Sequence, residues 1–87
     1  MHEATVEIFS DLSNAAIIRH PGRKFPGVLI QGDTLYSIAS ELRFVFKESE
    51  SLPEEAKETL TDCLERFDFL IEHYKQTLNN HQIEMPF

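Results

Sequence analysis

Eighty-seven residues, 41% hydrophobic and 26% charged, with a formal net charge of −7, describe one small globular domain, residues 1–87. A chain this short buries only about 60 to 65% of the surface its unfolded form exposes. The acidic balance excludes a nucleic-acid backbone as partner, since that needs a clustered basic face to release counterions, and no apolar run approaches the roughly 20 residues of a membrane helix. The segment Met1-His2-Glu3-Ala4 shows no basic stretch ahead of an apolar one, and the single Cys63 forms no intramolecular disulfide, so a reducing, cytosolic address is expected.

Ala4-Thr5-Val6-Glu7-Ile8-Phe9 alternates, with Ala4, Val6 and Ile8 on one face, and predicts a strand over residues 4–10. Asp11 to Asn14 turns the chain. A second strand is expected over 15–20, ended by His20-Pro21-Gly22, and a third over 27–31, introduced by Pro26-Gly27 and closed by Gly32-Asp33. Connections this short join antiparallel neighbours only, because a parallel pair needs a crossover of a dozen or so residues. The three strands therefore form an antiparallel meander.

Asp33 stands just ahead of a 3.6-period pattern, Leu35, Ile38, Ala39, Leu42, Val45 and Phe46, which predicts a helix over 34–49 with Asp33 as its N-cap. Ser51-Leu52-Pro53-Glu54 matches a capping box at the start of a second helix, 53–79. In that helix Leu60, Leu64, Phe67, Ile71, Tyr74 and Leu78 are spaced by four and three in turn, and Ala56, Cys63 and Leu70 widen the seam. The fold class is α+β: a βββαα two-layer sandwich, with an antiparallel helix pair on one face of the sheet. Beyond lies the tail, residues 80–87, whose Ile83, Met85 and Phe87 alternate as in a strand, so it is expected to fold back on the sheet or on a neighbouring chain.

Arg19, Arg23 and Lys24, with His20, crowd the second hairpin and suit a small anion. Glu48, Glu50, Glu54 and Glu55 lie at the same end of the expected fold, so the basic loop equally suits exposed ion pairs with the helix turn. Gln31 sits at the end of the third strand, either satisfying buried backbone groups or facing a ligand beside Asn14 and Thr34. Asp33 works against a phosphate at the helix N-terminus, because its carboxylate occupies the amides an anion would use. Cys63 and His73, ten residues apart on one helix, lie about 15 Å apart along its axis and form no nucleophile and base. Cys63 is expected to be a small buried hydrophobe. Asp62, Glu65, Asp68 and Glu72 form a solvated face. The scattered His2, His20, His73 and His81 show no ligand spacing, and neither a metal nor a cofactor is implied.

The run Arg19-x-Pro21-x-Arg23-x-Phe25-Pro26-Gly27-Val28-x-Ile30-Gln31-Gly32-Asp33-Thr34-Leu35 resembles a family of small, about 90-residue, uncharacterised bacterial proteins with an Arg-rich hairpin, then Phe-Pro-Gly-Val, then Gln-Gly-Asp-Ser/Thr-Leu. The likeness covers most of the chain. It implies no activity, substrate or cofactor, and only singles out Arg19, Arg23, Gln31 and Asp33.

With acidic helices, an apolar seam and no catalytic constellation, the chain is expected to be a protein-interaction module, of the immunity or antitoxin kind, rather than an enzyme. The alternative is a small-anion or metabolite-binding domain using the Arg19 to Lys24 hairpin. A homodimer is expected because a stripe running the whole second helix outreaches the first; Phe67, Leu70, Ile71 and Tyr74 are its interface positions, and Phe69, off the main seam, also marks it.

Overall fold

In a computed structural model describing residues 1–87, the chain forms β1 (Glu7–Ser10), β2 (Ala15–Arg19), β3 (Gly27–Ile30), α1 (Gly32–Glu48) and α2 (Glu54–Asn80). The βββαα order is the one expected. Two compact units divide the chain, Met1–Gln31 and Gly32–Phe87.

In the first unit the strands lie in the order β1-β2-β3, each pair antiparallel. The first strand is shorter than its alternation suggested. Glu7 already pairs with Arg19, the last residue of β2, so Ala4 to Val6 have no strand left to pair with. Register shifts between Ile8 and Ser10, which makes Phe9 the extra residue of a bulge and leaves Ser10 opposite Ile17. At the first turn the Ser13 hydroxyl donates to the Ala15 carbonyl (2.8 Å) and accepts from the Ala15 amide (3.2 Å), a local closure typical of serine. At the second, the Arg23 amide reaches the His20 carbonyl at 3.1 Å, with Pro21 and then Gly22 between them. Gly22 has φ of 83°, so the residue with no Cβ sits where a type II turn needs positive φ. No residue of this unit is buried, and Val28, Leu29 and Ile30 of β3 are all exposed.

The second unit is an antiparallel helix pair. Gly32 at the start of α1 meets Tyr74 late in α2, Arg43 pairs with Asp68, and Phe46 shares a groove with Thr61 and Leu64. The buried residues of this seam are Ala39, Leu64 and Ile71 with Gly32, flanked by half-buried Leu35, Leu42, Phe46, Leu60, Phe67, Tyr74 and Leu78. Two small residues of α1, Gly32 and Ala39, therefore face the larger side chains of α2, which lets the axes approach closely. A Cβ at Gly32 would fall inside the Tyr74 ring.

The edges of the expected stripe are not covered. Ile38, Val45, Ala56, Cys63 and Leu70 are all exposed, so Cys63 is not the buried hydrophobe its composition suggested. Helix α1 also begins earlier than expected. Asp33 therefore lies in the first turn instead of at the N-cap, where its Oδ1 still accepts the Thr34 amide at 2.9 Å and its charge faces the positive end of the helix dipole. The capping box does not form. Helix α2 starts at Glu54 with Pro53 in the cap position, which places Ser51 too far upstream to reach the free amides; Glu54 and Glu55 supply negative charge to the first turn instead.

At its other end α2 closes in a Schellman turn. The Gln82 amide donates to the Asn79 carbonyl (3.2 Å) and the Ile83 amide to the Leu78 carbonyl (2.9 Å), with Gln82 at φ 56° in the position usually given to glycine. This turn sends the tail back along the helices, and no strand forms. Phe87 instead stacks on Tyr36, with ring centroids 4.1 Å apart and planes 10° from parallel, and lies 6.1 Å from the Tyr74 ring.

Replacing Gly32 by alanine raises intrinsic helix propensity by about 1 kcal/mol, yet the methyl must displace the Tyr74 ring, at a cost of about 1 to 3 kcal/mol. Urea unfolding of Gly32→Ala is expected to show net destabilisation in the natural chain and none in a Tyr74→Ala background. Equal effects in the two backgrounds would show that the ring is not what demands glycine.

Candidate interaction site

Viewed down its axis, α2 presents three sectors. The first is the seam of Leu64 and Ile71 against α1. On the outer side, Glu58, Asp62, Glu65 and Phe69 follow one another at steps of four and three, so they share one stripe, which Glu72 continues toward the border with α1. Glu58, Asp62 and Glu65 take part in none of the ion pairs, which join Arg19 to Glu7, Arg43 to Asp68 and Lys75 to Glu72. Phe69, in the middle of these carboxylates, is 73% exposed, and its ring lies parallel to that of His73 with centroids 6.5 Å apart. Asp62, Glu65, Arg66, Phe69 and Leu70 line a shallow groove there. Like charges at Glu58 and Asp62, one turn apart, oppose the helix by about 0.2 to 0.5 kcal/mol, so this stripe is not explained by helix stability.

Of the four interface positions named from sequence, the structure separates two from the rest. Ile71 is buried in the seam, and Tyr74 lies against Gly32 and near Phe87. Phe67 is half-buried, and Leu70 is 50% exposed in the third sector, beside Cys63.

The basic hairpin is partly self-neutralised. Arg19 Nε and Nη2 donate to the two carboxylate oxygens of Glu7 at 2.9 and 2.8 Å, a bidentate pair across β1 and β2, and its Nη1 reaches the Lys24 carbonyl at 3.3 Å. The guanidinium also lies 5.5 Å from the Phe9 ring centroid, on the residue the bulge adds. Arg19 is thus partnered by a strand carboxylate, not by the glutamates of the helix turn. Charge left for an anion is that of Arg23 and of Lys24, whose Nζ stands 5.3 Å from the Phe25 centroid, with the His20 ring turned back to the Pro21 carbonyl (Nδ1 to O, 2.9 Å).

Compared with known families, the chain matches one model over residues 1–87, a family of unknown function. The chain belongs to that family, DUF6959. No curated protein and no solved structure matches it. No helix of this DUF6959 member is long and apolar enough to cross a membrane.

The remaining positions singled out from sequence make few contacts of their own. Gln31 is exposed and its side chain makes no hydrogen bond, so it does not satisfy buried backbone groups; Asn14 is exposed as well. Asp33 is engaged with the Thr34 amide. Asp62 and Glu65 have the spacing of a solvated face; the signal that distinguishes them is Phe69, an aromatic at the one phase of the helix that a solvated face would keep polar.

The hydrogen bonds from Arg19 hold the Glu7 carboxyl below its ordinary value of 4.5. A lowered folded-state value means that the pair adds stability above the ordinary glutamate range and loses it as the pH falls through the folded value. The stability difference between the natural chain and Glu7→Gln is therefore expected at pH 7 and absent near pH 2 in urea titrations. A difference that persists unchanged in acid would show that Glu7 acts through packing, not charge.

Proposed function

We propose that this chain is a protein-interaction module, not an enzyme, whose α2 docks by its outer stripe on a basic protein surface, the arrangement by which an immunity or antitoxin protein masks a basic target. The observation that carries the reading is Phe69: an exposed ring on the stripe of Glu58, Asp62 and Glu65, three carboxylates that have no ion partner. Interfaces of this kind use a buried aromatic anchor for affinity and a charged surround for steering and partner choice. The excess of acid over base in the chain, fifteen against eight, supplies a long-range field of the same sign as the stripe. Catalysis finds no comparable support, since Cys63 and His73 lie about two to three helical turns apart on α2.

The test is affinity capture from the native host with the natural chain and with a triple variant, Asp62→Lys, Glu65→Lys and Phe69→Ala. A basic protein is expected on the natural chain at about 0.15 M salt, released as added salt shortens the screening length, and absent from the variant. Phe69→Ala alone should weaken the purified complex about 30-fold, as for an interface anchor worth about 2 kcal/mol. Capture indifferent to all three substitutions, or of no basic protein, would refute the reading.

A further inference from the structure

The third sector of α2 belongs to neither the seam nor the carboxylate stripe. Ala56, Cys63 and Leu70 are each exposed and separated by steps of seven, the repeat by which one helix packs along another. Two shallow grooves, one lined by Pro53, Glu55, Ala56, Thr59, Leu60 and Cys63 and the other by Cys63, Arg66, Phe67 and Leu70, meet at Cys63 on this line.

Helix α1 extends the same surface. The Arg43 to Asp68 pair marks one side of the hairpin, reached from Ala39 by four residues forward and from Ile71 by three back. Ile38 and Leu70 each precede those buried residues by one position, which turns them to the opposite side. Val45, one heptad beyond Ile38, is 59% exposed there. One face of the hairpin thus carries Ile38 and Val45 from α1, and Ala56, Cys63, Phe67 and Leu70 from α2.

We infer that this face is closed by a second copy of the chain, two helix pairs joining as a four-helix bundle about a two-fold axis beside Cys63. Three observations select a second copy. At about 100° per residue, the α2 carboxylates nearest this line, Glu55 and Asp62, stand about 80 to 100° from it, while on α1 Glu41 flanks Val45 at about 40°. Two chains each of net charge −7 therefore bring the least like charge together along the α2 line. The line is also self-complementary. Ala56 and Leu70 are each seven residues from Cys63, so an antiparallel copy sets the small side chain of one chain against the large one of the other, with the two Cys63 near the axis. The third observation is area. Helices of 27 and 17 residues are about 40 and 25 Å long, and at about 10 Å across they offer roughly 650 Å² of projected face, close to the ~800 Å² per partner of a stable interface. A basic partner, in contrast, finds its complement on the Phe69 side, which borders this face at Arg66 and Leu70, so Val45→Glu on α1 tests the second copy apart from that partner.

Sedimentation equilibrium of the full chain at about 1 to 100 µM decides the matter, with Leu70→Glu and Val45→Glu as variants on separate helices. The natural chain is expected at the mass of two chains, and each variant at one, its dissociation constant raised at least 100-fold while its far-ultraviolet circular dichroism is unchanged. A short bismaleimide should join two natural chains through Cys63 and leave Cys63→Ser unjoined. One-chain mass throughout, a dimer that survives both variants, or a dimer that Cys63 does not crosslink would overturn the proposal. Val45→Glu supplies the answer should Leu70→Glu fail to fold. Capture of a basic protein through Phe69 is read separately, so a natural chain at the mass of one chain with capture intact overturns only the inference about the second copy.

Discussion

Close approach of α1 and α2 is the constraint on which the helical unit depends. The only buried apolar side chains in the chain, Ala39, Leu64 and Ile71, lie along that one seam, and no residue of 1–31 is buried. Small residues on α1 make it possible. Gly32 accepts the Tyr74 ring where any side chain would collide, and Ala39 admits the branched side chains of α2. Because only two large side chains of the seam, Leu64 and Ile71, are buried and the rest of its apolar residues are half-buried, few apolar contacts hold the unit, which fits the marginal stability of small chains. The Arg43 to Asp68 pair, with Nη2 and Oδ1 2.6 Å apart and both side chains well exposed, sets registry at the border of the seam more than it adds stability.

Around that seam, α2 divides its surface by charge. Phase on the helix decides each sector: the inner line is apolar and covered, the outer stripe carries carboxylates about an exposed Phe69, and the line through Cys63 is uncharged and uncovered. One helix can present three such sectors because 27 residues supply about seven turns, more than the 17-residue α1 can cover. The sheet solves its own charge locally, with Glu7 and Arg19 joined across two strands next to the Phe9 bulge. Family membership adds the full-length match but no activity, so these surfaces carry the functional account.

Element type and order were legible in the residues, because the short apolar run Ala15 to Ile18, ended by His20-Pro21-Gly22, and the four-three repeat in 60–78 are clear signals. Boundaries were less so. A capping box can be written at Ser51 and yet be unused, since the helix begins at Glu54 and backbone geometry decides which residue becomes the cap. Periodicity also cannot say what covers an apolar position. Ile38 and Val45 read as core by spacing, and both are exposed, because spacing reports a face and not its occupant. The Glu7 to Arg19 pair was out of reach for a different reason: it depends on the cross-strand register, which no local pattern reveals. The alternation of Ile83, Met85 and Phe87 misled for want of a strand partner, and the Schellman turn at Gln82, a non-glycine at positive φ, gave no local signal.

Native-state hydrogen exchange measures this account most directly, since it ranks the backbone by the free energy of opening. The amides of α1 around Ala39 and of α2 from Leu64 to Ile71 are predicted to exchange slowest, and Leu64→Ala is predicted to speed them by a factor corresponding to about 2 to 3 kcal/mol. Slowest exchange in β2, with the helical amides opening earlier and unaffected by Leu64→Ala, would contradict a chain whose stability rests on the seam between its helices.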